Sequence, residues 1–90
     1  MDKFELLQNT ADVIQERGDS YGSITQCHQR IADLWSVILE KKIEPEQVAL
    51  CMIALKVARL MESPDHTDSW QDIMGYAMTG FEVVNDKEWF

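Results

Sequence analysis

Phe4, Leu7, Ala11 and Ile14 recur three and four residues apart, the spacing of one face of an α-helix, and Asp2 stands where an N-cap belongs. Gly18 follows Arg17 where a glycine would close that helix, so Asp19, Ser20, Tyr21 and Gly22 read as a turn. Ser23 with Gln26 makes a capping-box signature for a second helix. It carries Ile24, Cys27, Ile31, Leu34, Trp35 and Ile38 inward and ends near Lys41, where cations suit the helix dipole. Pro45 sits just inside the start of a third helix that runs to about Met61, and Pro64 biases its predecessor away from helical geometry. A fourth helix starts near Thr67 or Asp68, with Asp68 and Gln71 as a second capping signature, and buries Ile73, Ala77, Phe81 and Val84. No sustained alternation and no Asn-Gly or Asp-Gly hairpin signal competes with this reading.

From Val48 to Met61 every residue is apolar except Lys56 and Arg59. A helix that is apolar all round is enclosed by other elements, which places the third helix at the centre. The pattern therefore predicts an all-α fold, a compact four-helix domain spanning residues 1–90, with a buried third helix. Asn85 to Phe90 read as loose, with Trp89 and Phe90 available to dock on a neighbouring subunit. Composition changes this picture in one respect. A chain of 90 residues that is 46% hydrophobic has more apolar surface than a lone small domain can cover, so a homo-oligomer sharing helix faces is expected.

The formal charge of -8, from 16 acidic and 8 basic residues, argues against direct binding to a nucleic-acid backbone. Cys27 and Cys51 form no CxxC pair and stand in apolar settings, so they read as reduced core thiols of a cytoplasmic protein. The first residues, MDKFELLQN, lack a basic stretch followed by an apolar run, so no secretory signal is expected, and the Val48 to Met61 run is too short and too charged to span a bilayer.

Lys56 and Arg59, three apart, are expected on one side of the third helix, and Asp68, Asp72 and Tyr76 form a stripe at four-residue spacing on the fourth. A short connection makes those helices antiparallel neighbours, which brings the two polar stripes together. One reading is an ion-pair network that fixes helix register. The other is a site where the cations meet phosphate or carboxylate while the aspartates orient them or meet ribose hydroxyls. Tyr21 and Gly22, before the second helix, offer an aromatic ring and a backbone amide near a helix start; the preferred reading is a glycine required by turn geometry and a tyrosine covering the core edge. Trp35 and Trp70 read as core or interface aromatics. His66 belongs to the turn before the fourth helix, and neither it nor His28 falls in an HExxH, CxxC or EF-hand spacing, so no metal site is expected. GxGxxG, Walker A and GxSxG motifs are absent, as is a nucleophile beside a base.

Tyr21-Gly22, Arg30-Ile31-Ala32 with Leu34-Trp35, Val48-Ala49-Leu50, Leu55-Lys56-Val57-Ala58-Arg59-Leu60 and the block DSWQDIMGYA from Asp68 to Ala77 resemble, in that order, a family of small bacteriophage proteins of unknown function. The resemblance covers about residues 18 to 80 and implies a phage-encoded helical protein of the host cytoplasm. Where the family pattern carries Asp after Tyr-Gly, and Asn then an aromatic in the second helix, this chain has Ser23, Cys27 and His28. More loosely, the architecture is similar to the all-α nucleoside triphosphate pyrophosphatases of the MazG type, which hold magnesium through ExxE and ExxD motifs; here Glu40 and Glu44, and Asp68 and Asp72, stand four apart and out of that register.

The expected function is a phage accessory binding protein that captures a phosphorylated small molecule. A nucleotide or a cyclic defence-signalling nucleotide fits, which would make the protein an anti-defence sponge. Ligand contacts fall to Lys56, Arg59, Tyr21, Gly22, Asp68, Asp72, Tyr76 and His66. No catalytic residue, resident metal or cofactor is expected, and no membrane partner. One alternative is an acidic inhibitor of a host nucleic-acid-binding or defence protein. Another is a magnesium-dependent nucleotide pyrophosphatase using Asp65, Asp68, Asp72 and Glu82 as ligands, the only reading in which magnesium enters.

Overall fold

The computed structural model describes residues 1–21 and 23–86, leaving aside the side chains of residues 19–21. It contains four helices: α1 (Lys3–Tyr21), α2 (Ile24–Leu39), α3 (Pro45–Glu62) and α4 (Thr67–Asn85). No strand occurs among the described residues.

Each helix starts on a local device. The Asp2 Oδ1 accepts the backbone N–H groups of Phe4 and Glu5, both at 2.9 Å, which satisfies two of the donors a helix start leaves open. Ser23 Oγ accepts from the Gln26 N–H at 3.2 Å. Pro45 occupies the first turn of α3, and Gln47 Oε1 accepts the Glu44 N–H at 2.7 Å. For α4 the expected cap is corrected: His66, not Asp68, takes that place, its Nδ1 accepting the Ser69 N–H at 3.3 Å while Ser69 Oγ donates to it at 2.8 Å. Trp70 Nε1 donates to the Pro64 carbonyl at 2.9 Å and braces the same turn.

The end of α1 also differs from expectation. The helix runs through Gly18 to Tyr21 instead of stopping at the glycine, because a helical glycine is a cost of only about 1 kcal/mol that neighbouring turns can absorb. Helix α2 ends two residues earlier than expected, on Glu40 at φ 52 in the left-handed region that favours glycine. Beyond it Ser36 Oγ donates to the Ala32 carbonyl at 2.7 Å and accepts the Ile43 N–H at 2.9 Å, tying the link to α2. Glu40→Gly is expected to stabilise the fold by about 0.5–1 kcal/mol by relieving the left-handed strain. A shift of the urea midpoint to higher concentration checks this; a lower midpoint would mean that the Glu40 side chain contributes more than the strain costs.

Packing departs from the expected scheme. Helix α4 touches all three others and lies most extensively along α3, while α2 packs on α3 and α4, and α1 rests chiefly on α4. Thr25 Oγ1 donates to Asp86 Oδ2 and joins the start of α2 to the end of α4. The buried apolar residues are Ala32, Val48, Ala49, Leu60 and Val83. Helix α3 thus supplies much of the core, but only from one side: Leu50, Leu55, Val57 and Met61 face outward. The faces picked as inward on the other helices are likewise largely open. Phe4, Leu7, Ala11 and Ile14 are exposed on α1, Leu34 and Ile38 on α2, and Ala77 and Phe81 on α4. Cys27 and Cys51 are exposed free thiols, not core residues. The physical reason is common to all: these helices carry apolar residues on more than one side, and four helices in one small layer can bury only one side each.

Helices α3 and α4 meet closely at Gly80, where an added Cβ would lie 3.3 Å from the Ala49 Cβ. The two small residues let the backbones approach. This contact fixes how far α4 stands from α3 and hence where its polar residues lie.

Candidate functional site

Two polar stripes were expected to meet across α3 and α4, and one half of each does. Lys56 Nζ lies 3.0 Å from Asp72 Oδ2, with the lysine side chain 13% exposed and the aspartate 39%. Arg59, one turn on, is exposed and has no ion pair among the described residues, so it does not meet the aspartate stripe. Helical geometry accounts for the split. Three residues turn a helix by about 300°, so residues at i and i+3 lie roughly 60° apart, enough to put Lys56 at the α4 contact and Arg59 beyond it. Likewise each four-residue step on α4 advances the stripe by about 40°. Asp68 is exposed at the helix start, Asp72 is half-buried, and Tyr76 is half-buried one step further in.

Asp72 and Tyr76 line a cavity of about 570 Å³ that all four helices enclose. It exists because α1 leans on α4 and scarcely touches α2, so a gap remains between them. Trp35, Ile31, Met52 and Val48 supply apolar wall, and Arg17, Gln71, Thr79 and Glu82 supply polar groups. Lys56 is not part of the lining and reaches the cavity only through Asp72. The Tyr21 side chain and Gly22 lie outside what is described, although Gly18 and Ser23 on either side of them line the cavity.

His28, which the sequence offered only as a metal ligand out of the usual spacings, is a lining residue of the cavity. The residue is 6% exposed, and Nδ1 stands 3.1 Å from the Ile24 carbonyl, which can only accept; Nδ1 therefore carries the proton of that contact. That leaves Nε2 as a buried ring nitrogen without a hydrogen-bond partner among the described residues. A buried polar atom left unpaired costs about 1–3 kcal/mol, a cost usually found where a water or ligand belongs. The only sequence signal was a polar residue at a core-facing position of α2.

His66 and Asp68 go elsewhere, to a small hollow with Ser63, Asp65 and Thr67 ahead of α4. His66 already caps the helix there. The four carboxylates of the magnesium alternative consequently divide, Asp65 and Asp68 at the hollow, Asp72 and Glu82 at the cavity. Among the described residues no three His, Cys, Asp or Glu side chains gather closely enough to hold a metal ion. No described helix is long and apolar enough to cross a membrane.

Fold and cavity together define a small all-helical domain with a ligand-sized, mostly apolar chamber edged by polar groups. The chain belongs to a family described as a domain of unknown function (DUF6378), which matches residues 5–84. It is similar to the gene 55 protein of Mycobacterium phage L5, 41% identical over 75 residues that make up 80% of this chain and 47% of the relative. It is also similar to the gene 55 protein of Mycobacterium phage D29, 42% identical over 62 residues, 69% of this chain and 41% of the relative. The chain thus spans about half the length of the curated relatives it matches or less. No solved structure matches it. The bacteriophage resemblance read from the sequence is borne out by these relatives.

Proposed function

We propose that the protein is a binding module that captures a phosphorylated small molecule of nucleotide type in the four-helix cavity. The observation that carries this reading is an ion-paired carboxylate, Asp72 held by Lys56, in the wall of a chamber of about 570 Å³ that is otherwise largely apolar. Ligand sites of this size combine an apolar body with a few fixed polar groups, and the lining has that character. In this reading the base lies against Trp35 and Ile31, Asp72 and Tyr76 accept and share hydrogen bonds with sugar hydroxyls, and Arg17 meets phosphate with its planar fork. The role of Lys56 changes from a phosphate contact to the brace that holds Asp72. Arg59, on the outer side, has no part in the cavity. The protein then acts in the cytoplasm of the infected host, and a cyclic signalling nucleotide of host defence is a ligand that such a sponge would remove.

Calorimetric titration of the folded protein with a panel of linear and cyclic nucleotides tests this. Heat with at least one of them, and about a tenfold weaker affinity in Arg17→Ala with unchanged helicity, is the expected result. Absence of heat with every member of the panel removes the proposal.

A further inference from the structure

Resting on the reading of the cavity as a nucleotide site, we infer that the nucleotide enters base first and that His28 Nε2 accepts a hydrogen bond from an exocyclic amino group on that base. Of the residues that line the cavity, Thr10, His28 and Val48 are the buried ones, whereas Arg17 and Glu82 are exposed. The chamber therefore has an inner end at Thr10, His28 and Val48 and a mouth at Arg17. A phosphate held by the Arg17 guanidinium stays at the mouth, so the base is the part that reaches the inner end.

Both polar residues of the inner end present acceptors. Thr10 is 4% exposed, and its one hydroxyl proton goes to the Leu6 carbonyl at 2.8 Å. His28, 6% exposed, likewise turns Nδ1 to the Ile24 carbonyl at 3.1 Å, four residues back on its own helix. Each side chain thus uses a donor inside its own helix, one on α1 and one on α2, and the Thr10 oxygen keeps only lone pairs for the cavity. For the imidazole the charge decides. No carboxylate pairs with the ring among the described residues, and a charge buried without a partner costs far more than a neutral nitrogen, so the ring is neutral and Nε2 accepts. That nitrogen is buried and has no hydrogen-bond partner among the described residues.

Position along α2 selects the base as its partner. Ile24, His28, Ile31 and Trp35 follow at intervals of four, three and four, which is one face of the helix, and all of them line the cavity. A flat ring resting on Ile31 and Trp35 has an edge one turn from His28. An amino group on that edge brings N–H donors to the nitrogen, whereas a carbonyl would set acceptor against acceptor.

Calorimetry at about pH 8, where free imidazole is neutral, compares three pairs of nucleoside 5′-monophosphates that differ in the amino group alone. These are adenosine against purine riboside, guanosine against inosine, and cytidine against 2-pyrimidinone riboside. Wild type is expected to prefer the amino-bearing member of at least one pair by about tenfold or more, since the other member leaves the buried nitrogen unpaired. His28→Phe keeps a flat ring and removes the nitrogen. It is expected to bind both members of that pair alike, with helicity unchanged by circular dichroism. His28→Leu gives the same reading should the phenylalanine variant lose its fold. Equal affinities within every pair in wild type overturn the inference, as does a preference that survives in the folded variants, since the amino group would then be read elsewhere. Heat with none of the six overturns it as well; the wider nucleotide panel then decides separately whether the cavity takes nucleotides, which keeps the two failures distinct.

Discussion

Gly80→Leu is expected to destabilise the protein by about 3 kcal/mol, the upper range for forcing extra methylenes into a packed contact. Even the first carbon of a side chain there would lie 3.3 Å from the Ala49 Cβ, and Ala49 is itself buried on α3. Leucine has nowhere to go without moving α4 off the helix it touches most. Gly80→Ala separates the two effects at this position. Alanine gains about 1 kcal/mol of helix propensity over glycine but meets a neighbour that must give by a few tenths of an ångström, so its net effect should lie near zero. Ala49→Gly combined with Gly80→Ala moves the methyl from one helix to the other and should sit close to the single Gly80→Ala variant, less the propensity lost at position 49. Urea unfolding at one fixed protein concentration measures all three. A Gly80→Leu midpoint within error of wild type would show that α3 and α4 separate without penalty and that their close approach does not hold the fold.

The second large effect is an asymmetry across the Lys56 to Asp72 pair. Asp72→Ala leaves an ammonium only 13% exposed without its carboxylate, and a cost of about 2–3 kcal/mol is expected. Lys56→Met leaves a carboxylate 39% exposed, which water can still reach, and the methionine fills the space of the lysine stem; under about 1 kcal/mol is expected. The double variant should resemble Lys56→Met alone, so that removing the lysine rescues the loss of the aspartate. A double-mutant cycle in urea gives the coupling. If Asp72→Ala costs no more than Lys56→Met, the lysine reaches water in the variant and the pair behaves like an ordinary surface bridge. Lys56→Met is informative for binding as well. It should keep its fold yet bind nucleotide more weakly, because an unbraced Asp72 no longer presents its oxygens in one orientation.

The number of helices and most of their ends were legible from the chain because their causes are local. An Asp2, a Ser23 or a Pro45 acts within three or four residues of itself, and a repeat of three and four residues states its own conformation. The exception at α4 is instructive. His66 caps through Nδ1, a role that ordinary capping preferences assign to Ser, Thr, Asp or Asn, so those preferences point to Asp68 two residues later. The candidate site was legible in part. Asp72 and Tyr76 do share the cavity, but Arg59 and Asp68, chosen on the same spacing, do not, because a drift of some tens of degrees per step decides whether a residue lies inside or outside a helix contact. His28 went unselected because nothing in its neighbourhood along the chain marks a buried imidazole with one nitrogen left over.

Sequence alone determined that this protein is helical, where its helices begin and that it carries more apolar residues than one small domain can cover. Those are properties of neighbours along the chain and of composition. Only the tertiary structure decided which side of each helix turns inward, that α4 packs on every other helix, and that α1 leans away from α2 to leave a chamber. A helix with two apolar sides is equally content with either inward, and the choice falls to contacts such as Gly80 on Ala49, between residues that stand far apart in the sequence and invisible to any local repeat.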